Sequence, residues 1–153
     1  MLFLEPQGLI EVQSWEEALP HLLQHSRVSL DVGGIIMDRD HQDRRIWRSD
    51  NYLATPWVSG AKAGIQTLLD QGVHVSIVAR GVKALDTRQK TMAWFGQEGL
   101  FGMGIQPVDI HWCWLKPRKA PLIAKVGAGA HFDDSEKCFV GVDDKVMKLL
   151  MRR

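Results

Sequence analysis

The sequence has little cysteine and almost no excess charge of either sign. Its 153 residues include two cysteines, and Lys plus Arg exceed Asp plus Glu by one, 19 against 18. Two cysteines cannot build a disulfide framework, and Cys113 and Cys138 lack the CxxC spacing of a zinc or redox site. A net charge of +1 argues against a dedicated nucleic-acid-binding protein, whose affinity depends mainly on phosphate contacts.

Long apolar runs are also missing. No stretch approaches the roughly 18 apolar residues that a membrane-spanning helix needs. The N-terminal segment MLFLEPQGLIEV carries Glu5 and Pro6 within a short apolar run, so it does not resemble a signal peptide. With the unpaired thiols, these features predict a cytoplasmic protein without a membrane partner. A chain of 153 residues that is 45% hydrophobic and 24% charged suits one domain, 1–153.

Strand and helix patterns alternate along the chain. β-branched and apolar clusters mark strands, and apolar residues at helical spacing behind capping residues such as Ser14, Ser59 and Asp86 mark helices. The predicted strands are 28–31, 73–78, 108–114, 130–132 and 139–142, and the predicted helices are 14–25, 59–69, 86–97, 120–126 and a C-terminal KVMKLLMRR segment capped by Asp143. This order predicts an α/β protein: a mainly parallel, five-stranded Rossmann-like sheet with helices on both faces.

Carboxylates end two of the predicted strands. Asp31 ends the strand at 28–31, and Asp133 and Asp134 follow the strand at 130–132. An ordinary turn or helix cap is the alternative explanation for each site. Ligands of open parallel sheets gather at the carboxyl ends of the strands. Converging carboxylates repel one another unless a cation joins them, and such oxygen ligands suit Mg²⁺.

Four segments resemble, in the right order, the motifs of the haloacid dehalogenase-like (HAD) superfamily of hydrolases, most of whose members are phosphatases. They are VSLDVGGIIMD, PWVSGAKAGIQTLLDQGVHVSIVARG, Lys119 in RKAPLIAKVGAGA, and AHFDDS. They span about residues 28–136, between an N-terminal extension and helix at 1–27 and a last strand and helix at 137–153. The resemblance implies a three-layer HAD-like fold and a Mg²⁺-dependent phosphatase.

The resemblance also implies a role for each matched residue. Asp31 would attack phosphorus and form an aspartyl-phosphate, and Lys119 would stabilise charge on the transferring group. Mg²⁺ would be held by Asp31, by the backbone carbonyl of Gly33, and by Asp133 or Asp134. The implied phosphate contacts are Gly33, Gly34, Ala79, Arg80 and Lys119.

The chain departs from the family pattern at two positions. Gly33 stands where phosphatases usually carry a second Asp, and glycine cannot supply acid–base catalysis worth about 10² to 10⁴ in rate. Ala79 stands where the second strand normally ends in Ser or Thr. Arg80 is either a substitute phosphate contact or a solvated loop residue. Asp38 and Asp40 are either the missing acid or ordinary loop carboxylates.

Short intervals at 35–58 and 81–118 predict a domain without a large cap. Capless relatives act on large substrates or borrow a lid from a partner subunit, which leaves a macromolecular phosphorylated substrate and a homo-oligomer both open. The missing helper groups leave two functions open as well: a phosphatase, or a related protein that binds a phosphorylated ligand or partner without turnover. A response-regulator receiver places its acidic pair first, so the order of motifs argues against that class.

Overall fold

A parallel sheet organises the residues that the computed structural model describes, which are 8–39, 45–81, 86–115 and 118–152. Its six strands follow the order β1-β6-β5-β2-β3-β4, and every neighbouring pair is parallel. The strands are β1 (Leu9–Val12), β2 (Arg27–Leu30), β3 (His74–Arg80), β4 (Ile110–Cys113), β5 (Ala130–Asp133) and β6 (Met147–Met151). The predicted α/β class and the parallel Rossmann-like sheet are confirmed.

Helices connect these strands. They are α1 (Trp15–Leu22), α2 (Arg45–Arg48), α3 (Ala61–Asp70), α4 (Thr87–Glu98), α5 (Leu100–Met103) and α6 (Lys119–Lys125), with 3₁₀ turns at Tyr52–Ala54, Pro107–Asp109 and Glu136–Phe139. Ser14 caps α1 as predicted, because its side chain accepts a hydrogen bond from the Glu17 amide. None of the helices in the described ranges has the length and apolar character to cross a membrane.

Glycine, rather than the predicted Ser59, caps α3. Gly60 adopts a left-handed conformation with φ +82°, and a Cβ there would lie 3.1 Å from the Cβ of Trp15. Both the backbone conformation and the packing against α1 therefore favour glycine at this position.

The sheet separates two apolar cores, one on each face. Ile77 and Val78 are consecutive in β3, so their side chains point to opposite faces. Ile77 belongs to the larger core and Val78 to a smaller one that also contains Ile123 of α6. The larger core includes buried side chains of the three longest helices: Trp15, Ala18, Ile65, Leu68, Trp94 and Phe95. Helices therefore cover both faces and give the three layers expected from the sequence.

The C-terminal segment is a strand, where a helix was predicted. β6 lies between β5 and β1, so both of its edges are paired, and the burial of the consecutive Leu149, Leu150 and Met151 shows that both of its faces are covered. A short continuous apolar run suits a buried strand as well as a buried helix, and periodicity alone does not separate them. Pairing with β1, which lies inside the segment regarded as an N-terminal extension, determines the outcome.

The predicted strand at 139–142 is also wrong. The 3₁₀ turn Glu136–Phe139 occupies its start, and the chain then turns at Gly141, which has φ +78°. An extended strand cannot continue through such a residue. With β1 and β6 added and this segment removed, the sheet has six strands and not the predicted five.

The strand order reverses direction beside β2. From β2 the chain proceeds outward to β3 and β4 on one side, whereas β5 and β6 lie on the other side. The carboxyl ends of β2 and β5 therefore form a topological switch point, the usual ligand crevice of an open α/β sheet.

Candidate functional site

Four of the residues singled out in the sequence meet at this switch point. Asp31 follows β2, Asp133 ends β5, and Lys119 is the first residue of α6. The Lys119 Nζ donates to Asp31 Oδ1 at 2.8 Å and to Asp133 Oδ2 at 2.7 Å. Asp134 completes the cluster, since one carboxylate oxygen from each of the three aspartates lies within 4.8 Å of the others. The side chains of Lys119 and Asp133 are buried, and that of Asp31 is 12% exposed.

The electrostatics of this cluster distinguish the two buried carboxylates. Burial, followed by repulsion from Asp133, raises the pKa of Asp31 despite the opposing pull of Lys119. Burial also disfavours the charged form of Asp133, but the Lys119 ammonium and a hydrogen bond from His131 outweigh it and hold that pKa well below its usual range. The same two carboxylates overcome burial to keep the pKa of Lys119 above its ordinary value. Lys119 is therefore charged, and Asp133 ionised, at neutral pH.

The side chains present fit a divalent cation. The carboxylate oxygens of Asp31, Asp133 and Asp134 converge beside a single described ammonium, that of Lys119. A divalent ion would relieve the repulsion from Asp133 that adds to burial in raising the pKa of Asp31. Carboxylate oxygens are also the ligands that Mg²⁺ prefers.

The turn after Asp31 makes room for the third carboxylate. Gly34 has φ +82°, and a Cβ on it would collide with Oδ2 of Asp134. Its amide donates to the carbonyl of Met37 at 2.9 Å. This amide, an implied phosphate donor, is therefore engaged inside the turn in this structure. Gly34 also leaves space for the Asp134 carboxylate.

The side chain of an arginine lies beside Gly33. A Cβ on Gly33 would lie 3.4 Å from Cδ and Nη1 of Arg39. Arg39 also donates to the Thr91 hydroxyl at 2.6 Å, and its guanidinium carbon lies 4.1 Å from the ring centroid of Trp47. Sequence reasoning missed Arg39, because only the turn after Asp31 returns the chain to Gly33, through a bridge between Gly33 and Met37.

The other candidates for the missing acid and phosphate contacts are Ala79, Arg80, Asp38 and Asp40. Ala79 is buried inside β3, and Arg80 is exposed at its end, paired in register with Cys113. No hydrogen bond or ion pair between described residues joins Ala79 or Arg80 to the three aspartates. The Asp38 amide donates to the carbonyl of Pro56. Asp40 lies outside the described residues.

Two further polar residues join the cluster, and sequence reasoning missed both. Ser29 and His131 are register partners of β2 and β5, and both are buried. The Ser29 Oγ lies 2.7 Å from His131 Nδ1, and His131 Nε2 lies 2.8 Å from Asp133 Oδ2. The alternation of strand side chains could have indicated them, because each stands two residues before a strand-end Asp and shares its face.

A groove of about 400 Å³ adjoins this edge of the sheet, between the end of β4 and the start of α6. Arg118, which precedes Lys119, and the half-exposed Trp114 are among its walls. Burial raises the pKa of the Cys113 thiol in the same wall, so that thiol is protonated at neutral pH. The described lining residues are Trp112, Cys113, Trp114, Leu115, Arg118, Pro121 and Leu122.

Comparison with solved structures shows a similarity of fold. No family model matches the chain, and no curated protein matches it in sequence. The fold is similar to the structure of the class C acid phosphatase from Bacillus anthracis, with a TM-score of 0.55 and 14% sequence identity. The similarity covers 84% of this chain and 59% of that one, so this chain spans less than two thirds of the phosphatase. At this identity the similarity establishes a shared α/β Rossmann-like fold.

Proposed function

We propose that the protein is a Mg²⁺-dependent phosphoric monoester hydrolase of the HAD-like type, with Asp31 as its nucleophile. The observation that carries the proposal is the Lys119 ammonium, which bridges Asp31 and Asp133 at the switch point of the sheet. The order of the four sequence motifs and the fold shared with an acid phosphatase support it. Asp31, the Gly33 carbonyl, Asp133 and Asp134 are the proposed ligands of the ion, which would supply positive charge to the substrate phosphate.

In the proposed reaction the nucleophile and the stabilising cation are present, and the general acid is missing. The Asp31 carboxylate attacks phosphorus, the bond to the leaving oxygen breaks, and water then hydrolyses the aspartyl-phosphate to release inorganic phosphate. Lys119 stabilises the negative charge that collects on the transferring group. Gly33 has no side chain to protonate the leaving oxygen, so esters with acidic leaving groups are the substrates that this site can cleave without help.

The surroundings of the site support a phosphorylated substrate that reaches an open edge of the sheet. The segment from Trp47 to Val58 packs against α4, where the indoles of Trp57 and Trp94 lie 4.9 Å apart. That arrangement favours a domain without a separate cap, open to a macromolecular substrate or to a lid from a second subunit. The two free, buried thiols of Cys113 and Cys138 support a reducing compartment, the cytoplasm.

A second candidate function is binding of a phosphorylated ligand without turnover. The specific observation in its favour is Arg39, whose guanidinium lies alongside Gly33 and favours anions. In this version the same carboxylates and Lys119 hold an ion and a phosphate group, but no bond is broken.

Release of phosphate from p-nitrophenyl phosphate tests the first candidate. We expect Mg²⁺-dependent turnover that EDTA abolishes and that Asp31→Asn lowers by at least about 10³-fold, because the nucleophile is lost. Asp70→Asn, an exposed carboxylate at the end of α3, is the matched control and retains full activity. Turnover in Asp31→Asn equal to the control would exclude Asp31 as the nucleophile.

Gly33→Asp separates the two candidates. The added carboxylate would lie next to the Arg39 guanidinium, which favours the ionised form and so weakens it as a proton donor. For a phosphatase, we therefore expect a modest gain on an alkyl phosphate and a larger gain when Arg39→Gln is added. An inactive wild type that still binds Mg²⁺ and inorganic phosphate would support binding without turnover.

A further inference from the structure

A chain of four hydrogen bonds joins the two strands that carry the aspartates. It runs from Ser29 to His131, to Asp133, to Lys119 and to Asp31, with successive separations of 2.7, 2.8, 2.7 and 2.8 Å. Its two ends, Ser29 and Asp31, are two positions apart in the same extended segment, so their side chains lie on the same face of the sheet. Lys119 and the aspartates have roles in the proposed function, whereas Ser29 and His131 have none.

We propose that His131, supported by Ser29, is a positioning residue that sets the Asp133 carboxylate and, through it, the Lys119 ammonium for binding the ion and phosphate. This inference rests on the proposed function and deepens it. His131 is fully buried, so it acts through Asp133 and does not touch the substrate. Partners of this kind, one contact removed from an ion, typically contribute about 10- to 100-fold in metal affinity or activity.

The contacts of Asp133 show why His131 matters. Oδ1 accepts from the amides of Asp134 at 2.8 Å and Ser135 at 3.3 Å, and Oδ2 accepts from Lys119 and His131. Two donors on each oxygen therefore hold the orientation of the carboxylate. Without His131, the amides of Asp134 and Ser135 still hold Oδ1, but Oδ2 loses the donor on its own strand and keeps that of Lys119.

The direction of each hydrogen bond follows from the acceptor. An ionised carboxylate only accepts, so His131 Nε2 carries a proton and donates to Asp133. In the neutral ring, Nδ1 then accepts from the Ser29 hydroxyl. Ser29 is held in turn by the β2–β5 register, in which it lies directly beside His131. The sheet itself therefore sets the orientation of the imidazole, which packs edge-on against Phe139 with ring centroids 5.7 Å apart.

The test compares variants of the full chain in Mn²⁺ affinity, measured by electron paramagnetic resonance, together with melting temperature and p-nitrophenyl phosphate turnover. His131→Leu removes the donor, and we expect about 10- to 100-fold weaker Mn²⁺ binding. His131→Gln keeps an N–H donor near the position of Nε2 and is expected to recover most of the affinity. Phe139→Leu is the matched control, because it loosens the packing around the ring and leaves its hydrogen bonds intact.

The outcomes separate the inference from the proposed function. Weaker ion binding in His131→Leu, recovered in His131→Gln and unchanged in a Phe139→Leu protein of equally lowered melting temperature, supports the positioning role. Unchanged affinity in a folded His131→Leu protein overturns it, whatever the turnover. A wild type that binds Mn²⁺ but releases no phosphate refutes the proposed hydrolase activity. The Mn²⁺ affinities of the His131 variants then still decide the positioning role. A wild type that binds no Mn²⁺ overturns both.

Discussion

The carboxyl edge of the sheet has two halves that differ in chemistry. At the ends of β2 and β5, buried polar side chains satisfy one another, and Lys119 balances part of the charge of three aspartates. In the turn after β2 and at the end of β3, the corresponding positions are Gly33 and Ala79, which offer no polar side chain. The groups that would bind the ion and stabilise phosphate charge are assembled, whereas Gly33 and Ala79 have no side chain for acid–base catalysis. Such a site suits substrates that need little help from an acid.

Removal of the cation at the centre of the polar half should have the largest effect. Lys119→Met leaves Asp31 and Asp133 buried without their shared ammonium, so we expect a loss of about 3–5 kcal/mol in the free energy of unfolding. Turnover of p-nitrophenyl phosphate should fall by at least about 10²-fold, because an electrostatic stabiliser of the transferring group is lost. Urea unfolding and steady-state kinetics measure the two losses.

Lys125→Met is the control for this change, since Lys125 is exposed at the other end of the same helix. It should alter neither quantity. A Lys119→Met protein as stable as the control would show that the two carboxylates do not need the ammonium.

A smaller effect should come from filling the space beside Asp134. Gly34→Ala and Gly72→Ala both place alanine at positive φ, +82° and +81°, which costs about 1–2 kcal/mol in each case. Only at Gly34 does the new Cβ collide with the Asp134 carboxylate; no atom lies within 4 Å of it at Gly72. We therefore expect about 10-fold weaker Mn²⁺ binding in Gly34→Ala alone. Equal affinities in the two variants would remove Asp134 from the ion site.

The smallest effect concerns the stability contribution of Asp31. Its pKa in the folded protein is raised above the ordinary value of 3.8. The folded state therefore favours the protonated form, and the stability associated with protonation is lost as pH rises through the raised pKa. Asp31→Asn cannot ionise, so in EDTA it should be more stable than the wild type at about pH 7, with a gap that narrows as pH falls towards 3.8.

Urea unfolding from about pH 4 to about pH 8 measures that gap. Asp70→Asn, which is exposed, should show no such trend. A gap that widens as pH falls would contradict the raised pKa of Asp31.

The local sequence was sufficient to predict the central strands and to predict that the charged residues lie close together. Runs such as 73–78 are rich in β-branched residues, so the local sequence is enough to predict a strand there. Strand ends meet at one edge of a parallel sheet, which is why Asp31 and Asp133 could be predicted to lie together. Their roles and that of Lys119 stay predictions until the variants are measured.

The features that could not be predicted depend on distant partners. β6 is a strand because it pairs with β5 and β1, whereas its run of apolar residues alone is also compatible with a helix. The position of Arg39 beside Gly33 depends on the path of a turn. The pairing of Ser29 with His131 requires knowing that β2 and β5 are neighbours and in which register they pair.

The hydrogen bond between Ser29 and His131 spans 102 residues of sequence. This chain of hydrogen bonds requires β5 to dock beside β2, so a fragment that lacks either strand cannot present the assembled carboxylates. An ion held by them would bind the native state and not the unfolded one, adding about 2.7 kcal/mol of stability at a concentration 100-fold above its dissociation constant. The resistance of the chain to unfolding would then report the divalent-ion concentration around it, whether or not a substrate is present.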